Sequence, residues 1–151
     1  MIAPRARTGL LTLLVILIAG CGGSSLPGIP SPSSGISALT DVYASHFGLP
    51  AGVADEAIGG LLGVASNVLP AGTWNALAGN IPGAEELVEL TQDGLPAGSP
   101  LESLDDVGTM LGAGAGVSAS QLAEMGSMME SYLSSAVDDE SMRSQIENIF
   151  G

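Results

Sequence analysis

The chain has 151 residues, with 16 acidic and three basic residues, one histidine, one cysteine and a formal net charge of −13. Hydrophobic residues make up 46%, enough for a core and too many for a wholly disordered chain, while aromatics are only 3% and lysine is absent. The charge argues against nucleic-acid binding, the core must be built from Ala, Leu, Val, Ile and Met, and a single cysteine excludes an internal disulfide.

Arg5 and Arg7 give a short positive start, and residues 10–19 are almost wholly apolar. That run has the length of a signal-peptide h-region and falls short of the ~20 residues that a membrane-spanning helix needs. Ala6 separates the two arginines, so this is not a twin-arginine signal. Ile18-Ala19-Gly20-Cys21 comes next. It resembles the lipobox of bacterial lipoproteins, an aliphatic residue and two small ones before a cysteine. The resemblance implies cleavage between Gly20 and Cys21, diacylation of the Cys21 thiol and acylation of the new amino group. An ordinary secretory signal with a chance cysteine is the alternative. The next residue is Gly22, whereas an Asp there marks inner-membrane retention in Gram-negative lipoproteins. The expectation is therefore a lipid-anchored protein of the outer membrane, facing the periplasm.

Residues 21–35 read as the lipidated cysteine and a Gly/Ser/Pro tether, with Leu26 and Ile29 as its only large apolar residues. Fourteen such residues extend at most ~45–50 Å. Cleavage would leave Arg143 alone against 16 acids, a side-chain balance of −15. Such a body is repelled by phosphate backbones and anionic lipid surfaces; cationic partners, or simple solubility at a crowded membrane, fit the charge better.

Residues 36–151 read as an acidic all-α domain, a small bundle of about six to seven short helices. Apolar residues recur at three- and four-residue steps, and no stretch alternates convincingly with period two. The first helix is expected over 36–47, with Ile36, Leu39, Tyr43 and Phe47 inward and Gly48 as its stop. The second runs over 51–69, with Ala54, Ala57, Ile58, Leu61, Ala65, Val68 and Leu69 inward. Pro70 and Gly72 close it. A third covers 73–79, with Trp74, Leu77 and Ala78. A fourth, over 82–92, starts at Pro82 and buries Ala84, Leu87 and Val88. The fifth opens on Ser99-Pro100-Leu101-Glu102, read as cap, first helical residue and capping box, with Leu101, Leu104, Val107, Gly108 and Leu111 as its stripe. The sixth opens on a box of Ser118 and Gln121 with a Val117–Leu122 staple, and continues through Leu122, Met125, Met129, Tyr132, Leu133 and Ala136. Asp138 or Asp139 caps the seventh, which carries Met142, Ile146, Ile149 and Phe150.

Helices this short need mutual packing. An internal echo runs through them. Residues 48–81 align without gaps on 116–149, with Gly48/Gly116, Ala51/Ala119, Glu56/Glu124, Ser66/Ser134, Asn80/Asn148 and Ile81/Ile149 identical. A degenerate tandem duplication accounts for this, and so do two helices sharing one amphipathic period.

Three short motifs stand in a row: His46-Phe47-Gly48-Leu49-Pro50, Ala57-Ile58-Gly59-Gly60-Leu61-Leu62, and Trp74-Asn75-Ala76-Leu77 ending in Ile81-Pro82-Gly83. Together they resemble a VcgC/VcgE-type bacterial domain of unknown function, over about 36–150. The stretch from Leu111 to Ser118 is looser than that pattern. The resemblance implies an all-helical fold and carries no activity or catalytic residue.

Little in the sequence points to chemistry. His46 has no second histidine and no cysteine partner in the body, so a zinc site there would need carboxylates alone. A G-x-S-x-G elbow is missing. Asp105-Asp106 and Asp138-Asp139-Glu140 are clusters, but the alternating carboxylates and glycine of a calcium loop are absent. A simpler account places Asp55, Glu56, Glu85, Glu86, Glu102, Asp139 and Glu140 in or beside the first turn of a helix, where negative charge is favoured. Gly59 and Gly63 stand at G-x-x-x-G spacing, read as close packing inside a bundle. Two of Met125, Met128 and Met129 are expected in the core.

No catalytic, cofactor or metal residue is therefore assigned. The leading reading is a non-enzymatic lipoprotein anchored through Cys21, with an envelope protein as partner and no nucleic acid. The alternative is a small-molecule or lipid carrier with a Met- and Ala-lined groove. A carboxylate- or calcium-dependent enzyme is the third reading.

Overall fold

The structure, a computed structural model, describes residues 28–96 and 99–151. Gly20, Cys21 and the expected signal lie outside the described residues. Among these, seven α-helices and no strand are formed. They are α1 (Ile36–Phe47), α2 (Ala51–Val68), α3 (Ala71–Gly79), α4 (Ala84–Asp93), α5 (Leu104–Leu111), α6 (Ala119–Ser135) and α7 (Glu140–Phe150). The fold class is the one the periodicity predicts.

Local chemistry sets most boundaries. Gly48 takes a left-handed φ of 65°, which a Cβ would strain, and its N–H donates to the Ala44 carbonyl to end α1. The chain bends by 115° between α1 and α2 across the Gly48-Leu49-Pro50 break. The α6 box forms as read: the Gln121 N–H donates to Ser118 Oγ at 3.3 Å, and the Ser118 N–H donates to Gln121 Oε1 at 3.0 Å. Of the two candidates for α7, Asp139 is the cap, accepting from the Met142 N–H at 3.0 Å. The echoed stretches fold alike, each helix pair following a left-handed glycine, Gly48 or Gly116.

Three starts differ from expectation. α3 begins at Ala71 behind Pro70, not at residue 73, so Gly72 lies inside it and does not close α2. α5 begins at Leu104 behind Ser103, not at Pro100 behind Ser99. The Leu101 carbonyl accepts from the Asn67 side chain at 3.0 Å, so it is held by α2 and not by a helical turn of its own. Ser103 finds a reciprocal partner in Asp106 and therefore captures the cap. α4 begins at Ala84 and not at Pro82. The Pro82 carbonyl accepts from the Ile36 N–H, and Gly83 turns the chain at φ 87°.

α2 is the axis of the molecule and packs against every other α-helix. Residues 57–65 are buried without interruption. The amphipathic stripe read for this helix understates that. Three of its four glycines, Gly59, Gly60 and Gly63, explain how: each marks a place where a neighbour comes in. A Cβ on Gly59 would collide with the Thr91 hydroxyl of α4. One on Gly60 would stand 2.7 Å from Met110 and 3.0 Å from Val107 of α5, and one on Gly63 would stand 3.1 Å from Leu101. This is the close packing expected of the G-x-x-x-G spacing. Val68, expected inside, is 48% exposed at the end of the helix.

Core filling otherwise follows the stripes, with one correction. Met125, Met128 and Met129 are all fully buried, so the third methionine also fills the core. The Tyr43 hydroxyl donates to the Met125 carbonyl at 2.7 Å and ties α1 to α6. Among the described residues no buried side-chain polar atom lacks a partner. The last part of the expected tether also belongs to the bundle. Ile29 packs on the core, and Pro32–Ser34 forms a 3-10 turn whose Pro32 carbonyl accepts from Tyr132 Oη at 3.4 Å. The chain is thus already packed at residue 29, ahead of the boundary at 36.

Candidate functional site

α4 has the sequence AEELVELTQD, and its inward residues are Ala84 and Val88. Leu87 is half-buried, and Leu90, one turn further along, is 64% exposed. Exposing a leucine costs the ~1.5–3 kcal/mol that its burial would contribute. The only other exposed large apolar residue among those described is Val68.

Leu90 stands in a furrow made of three open depressions that share residues. The middle one has a volume of about 390 Å³ and is lined by Asp55, Glu56, Leu87, Leu90, Leu95 and Met110 among others. At one end it shares Asp55, Leu87 and Leu90 with a smaller depression of about 220 Å³ that reaches Glu86 and Pro82. At the other it shares Gly94, Leu95 and Met110 with one of about 410 Å³ that reaches Leu101 and Asp106. Gly59 and Gly60 let α4 and α5 seat tightly on α2 beside it. Its lining mixes leucine, methionine and proline with the hydroxyls of Thr40, Thr91 and Thr109 and four carboxylates, Asp55, Glu56, Glu86 and Asp106, and includes no basic side chain.

Each carboxylate has a traceable position. Glu86 lies in the first turn of α4, as expected. Asp55 and Glu56 do not lie in the first turn of α2; Asp55 accepts from the Thr40 hydroxyl of α1 at 2.7 Å. Glu102 lies before the Ser103 cap and so outside α5, and its N–H donates to Asp106 Oδ2 at 3.1 Å. Donation from the Ser103 hydroxyl at 2.8 Å, with that of the Glu102 N–H, holds the Asp106 carboxyl below the usual carboxylate range.

The residues considered for chemistry are not brought together. His46 Nε2 pairs with Glu124 Oε1 at 2.9 Å on the surface, and the ring meets Phe47 edge-on at 4.7 Å. No group of three or more His, Cys, Asp or Glu side chains converges among the described residues. Arg143 is the only arginine described. Its Nε and Nη2 donate to the Val137 carbonyl at 3.1 and 2.9 Å, and Nε also donates to the Ser134 carbonyl. That cation closes the end of α6, where a helix favours positive charge. The three methionines suggested for a carrier groove are core, and the methionine at the furrow is Met110.

Sequence reasoning missed the furrow. Its signal was present: Leu90 is an apolar residue left off the inward stripe of α4. No family model, curated protein or solved structure matches the chain.

Proposed function

We propose that this protein is a lipid-anchored, non-enzymatic contact domain, held at the periplasmic face of the outer membrane through acylated Cys21. The observation that carries the reading is Ile18-Ala19-Gly20-Cys21, placed behind a positive start and an apolar run of signal length. Several acyl chains, at ~0.8 kcal/mol per buried CH2, hold a protein on a bilayer where one chain does not. Three features of the body support a contact role. Its core is filled by its own side chains, its titratable groups do not converge, and an apolar furrow with an acidic lining lies open on one side. The carrier alternative has lost its methionine groove to the core.

Fractionation of cells carrying Cys21→Ala tests the anchor. The wild-type chain is expected in the membrane fraction, with a mass showing acylated Cys21 as the mature N-terminus. The variant is expected to be soluble or mislocalised. Unchanged membrane attachment of Cys21→Ala would refute the reading.

A further inference from the structure

The furrow beside α4 has a charge that narrows what can fill it. Four carboxylates line it, and none is paired with a basic side chain among the described residues. Its floor and walls offer Leu87, Leu90, Leu95 and Met110. Polyanions are repelled, whether nucleic acid or an anionic lipid surface. A second copy of this chain is disfavoured for the same reason: the body carries 16 acids against Arg143, whose guanidinium is already committed to backbone carbonyls. A neutral apolar ligand would leave the carboxylates without a counterpart.

We propose that the furrow is the docking site for a cationic amphipathic segment of a partner protein. Its apolar side chains seat on Leu87, Leu90 and Met110, and its Lys or Arg residues lie over Asp55, Glu56 and Glu86. Amphipathic segments bind grooves in this manner through apolar anchors spaced along one face, and opposite charges around the groove speed and orient docking. The proposal rests on the contact reading above but not on the anchor. Loss of the anchor would appear in fractionation, whereas loss of the docking site would appear only in binding.

The test measures binding of a labelled helical peptide with a leucine face and a lysine face. The full chain, purified from cells in non-ionic detergent, is held on a surface by a C-terminal tag, with the bare surface as the blank. Two comparison peptides replace lysine by glutamate or leucine by serine. Leu90→Ala removes the exposed anchor, and Val68→Ala makes a similar truncation away from the furrow. Glu56→Gln with Glu86→Gln neutralises the lining, and Glu140→Gln with Glu147→Gln makes the same charge change on α7. All these positions are exposed, so the fold is retained in each variant.

Leu90→Ala is expected to weaken the lysine peptide about tenfold, as loss of a buried leucine anchor does. The Glu56/Glu86 pair should weaken it about three- to tenfold at low salt and less at high salt. Val68→Ala and the α7 pair should leave it within twofold of the wild type, since rim positions outside an interface carry little of its energy. Equal binding of the glutamate or serine peptide would overturn the proposal. So would equal losses at the furrow and at the control positions, which would mean general charge attraction, or no binding of the lysine peptide above the bare surface.

Discussion

Tyr43 and Tyr132 are the only two tyrosines in the chain, and both are buried. Burial pushes both phenols above the ordinary range, Tyr43 far above it. The charged phenolate is disfavoured in the folded protein and free to form in the unfolded chain. The sign follows: this contribution to stability is fully present below the phenol's unfolded pKa and is lost as pH rises through the folded value. An absorbance titration of the folded protein should therefore show the Tyr43 phenolate missing near pH ~10, where exposed tyrosines ionise. That phenolate should appear together with loss of helical circular dichroism. A smooth two-tyrosine titration near pH ~10 with the fold intact would contradict the burial of Tyr43. The tyrosines were readable as core from their helical spacing. Their bonds were not, because the Tyr43–Met125 pairing joins residues far apart in sequence that meet only when α1 crosses α6.

Among the elements, α2 is set by residues that carry almost no side chain. Gly59 admits Thr91 of α4, whose hydroxyl donates to the Leu87 carbonyl at 2.8 Å. Gly59→Ala must displace a short, branched side chain, so it should destabilise the protein by about 1–3 kcal/mol. Gly72 in α3 has open space around its Cβ position. Gly72→Ala should stabilise by about 0.4–1 kcal/mol through the unfolded chain. Urea unfolding monitored by circular dichroism compares the two, and equal effects would remove α2's glycines from their role as seats for neighbouring helices. Helix existence and most helix limits were legible, because Pro50, Pro70, Gly48 and the Ser118 box act locally. The start of α5 was not. Choosing Ser103 over Ser99 depends on Asn67 reaching the Leu101 carbonyl from another helix. The unbroken burial of residues 57–65 was equally hidden, since glycine contributes nothing to an apolar stripe.

At the scale of the whole molecule, charge acts against compactness. The described residues hold one imidazole–carboxylate contact, His46–Glu124, and Arg143 is turned inward to carbonyls. The remaining carboxylates repel one another across a small body. Sodium chloride should therefore raise the melting temperature as the Debye length falls from about 30 Å at 0.01 M to about 3 Å at 1 M. A gain of about 1 kcal/mol reads as about 2–8 °C in this size range. Chloride is the salt of choice, because sulfate would also strengthen apolar burial. A flat response would show that the acids are too well solvated to matter. The furrow belongs to this scale too. Leu90 and Met110 come from different helices, and only their common seat on α2 brings them to one surface.

Were Cys21 acylated, the packing of Ile29 and the Pro32 turn on the core would shorten the leash between membrane and body. From Cys21 to Ile29 the chain can stretch at most ~28 Å, little more than half of the ~45–50 Å that a tether ending at residue 35 would allow. If Cys21 carries the acyl chains, the local concentration of the body near the bilayer follows the inverse three-halves power of linker length and rises about twofold. A leash that short would turn the search for a partner into a nearly two-dimensional one and would favour partners bound to the same membrane.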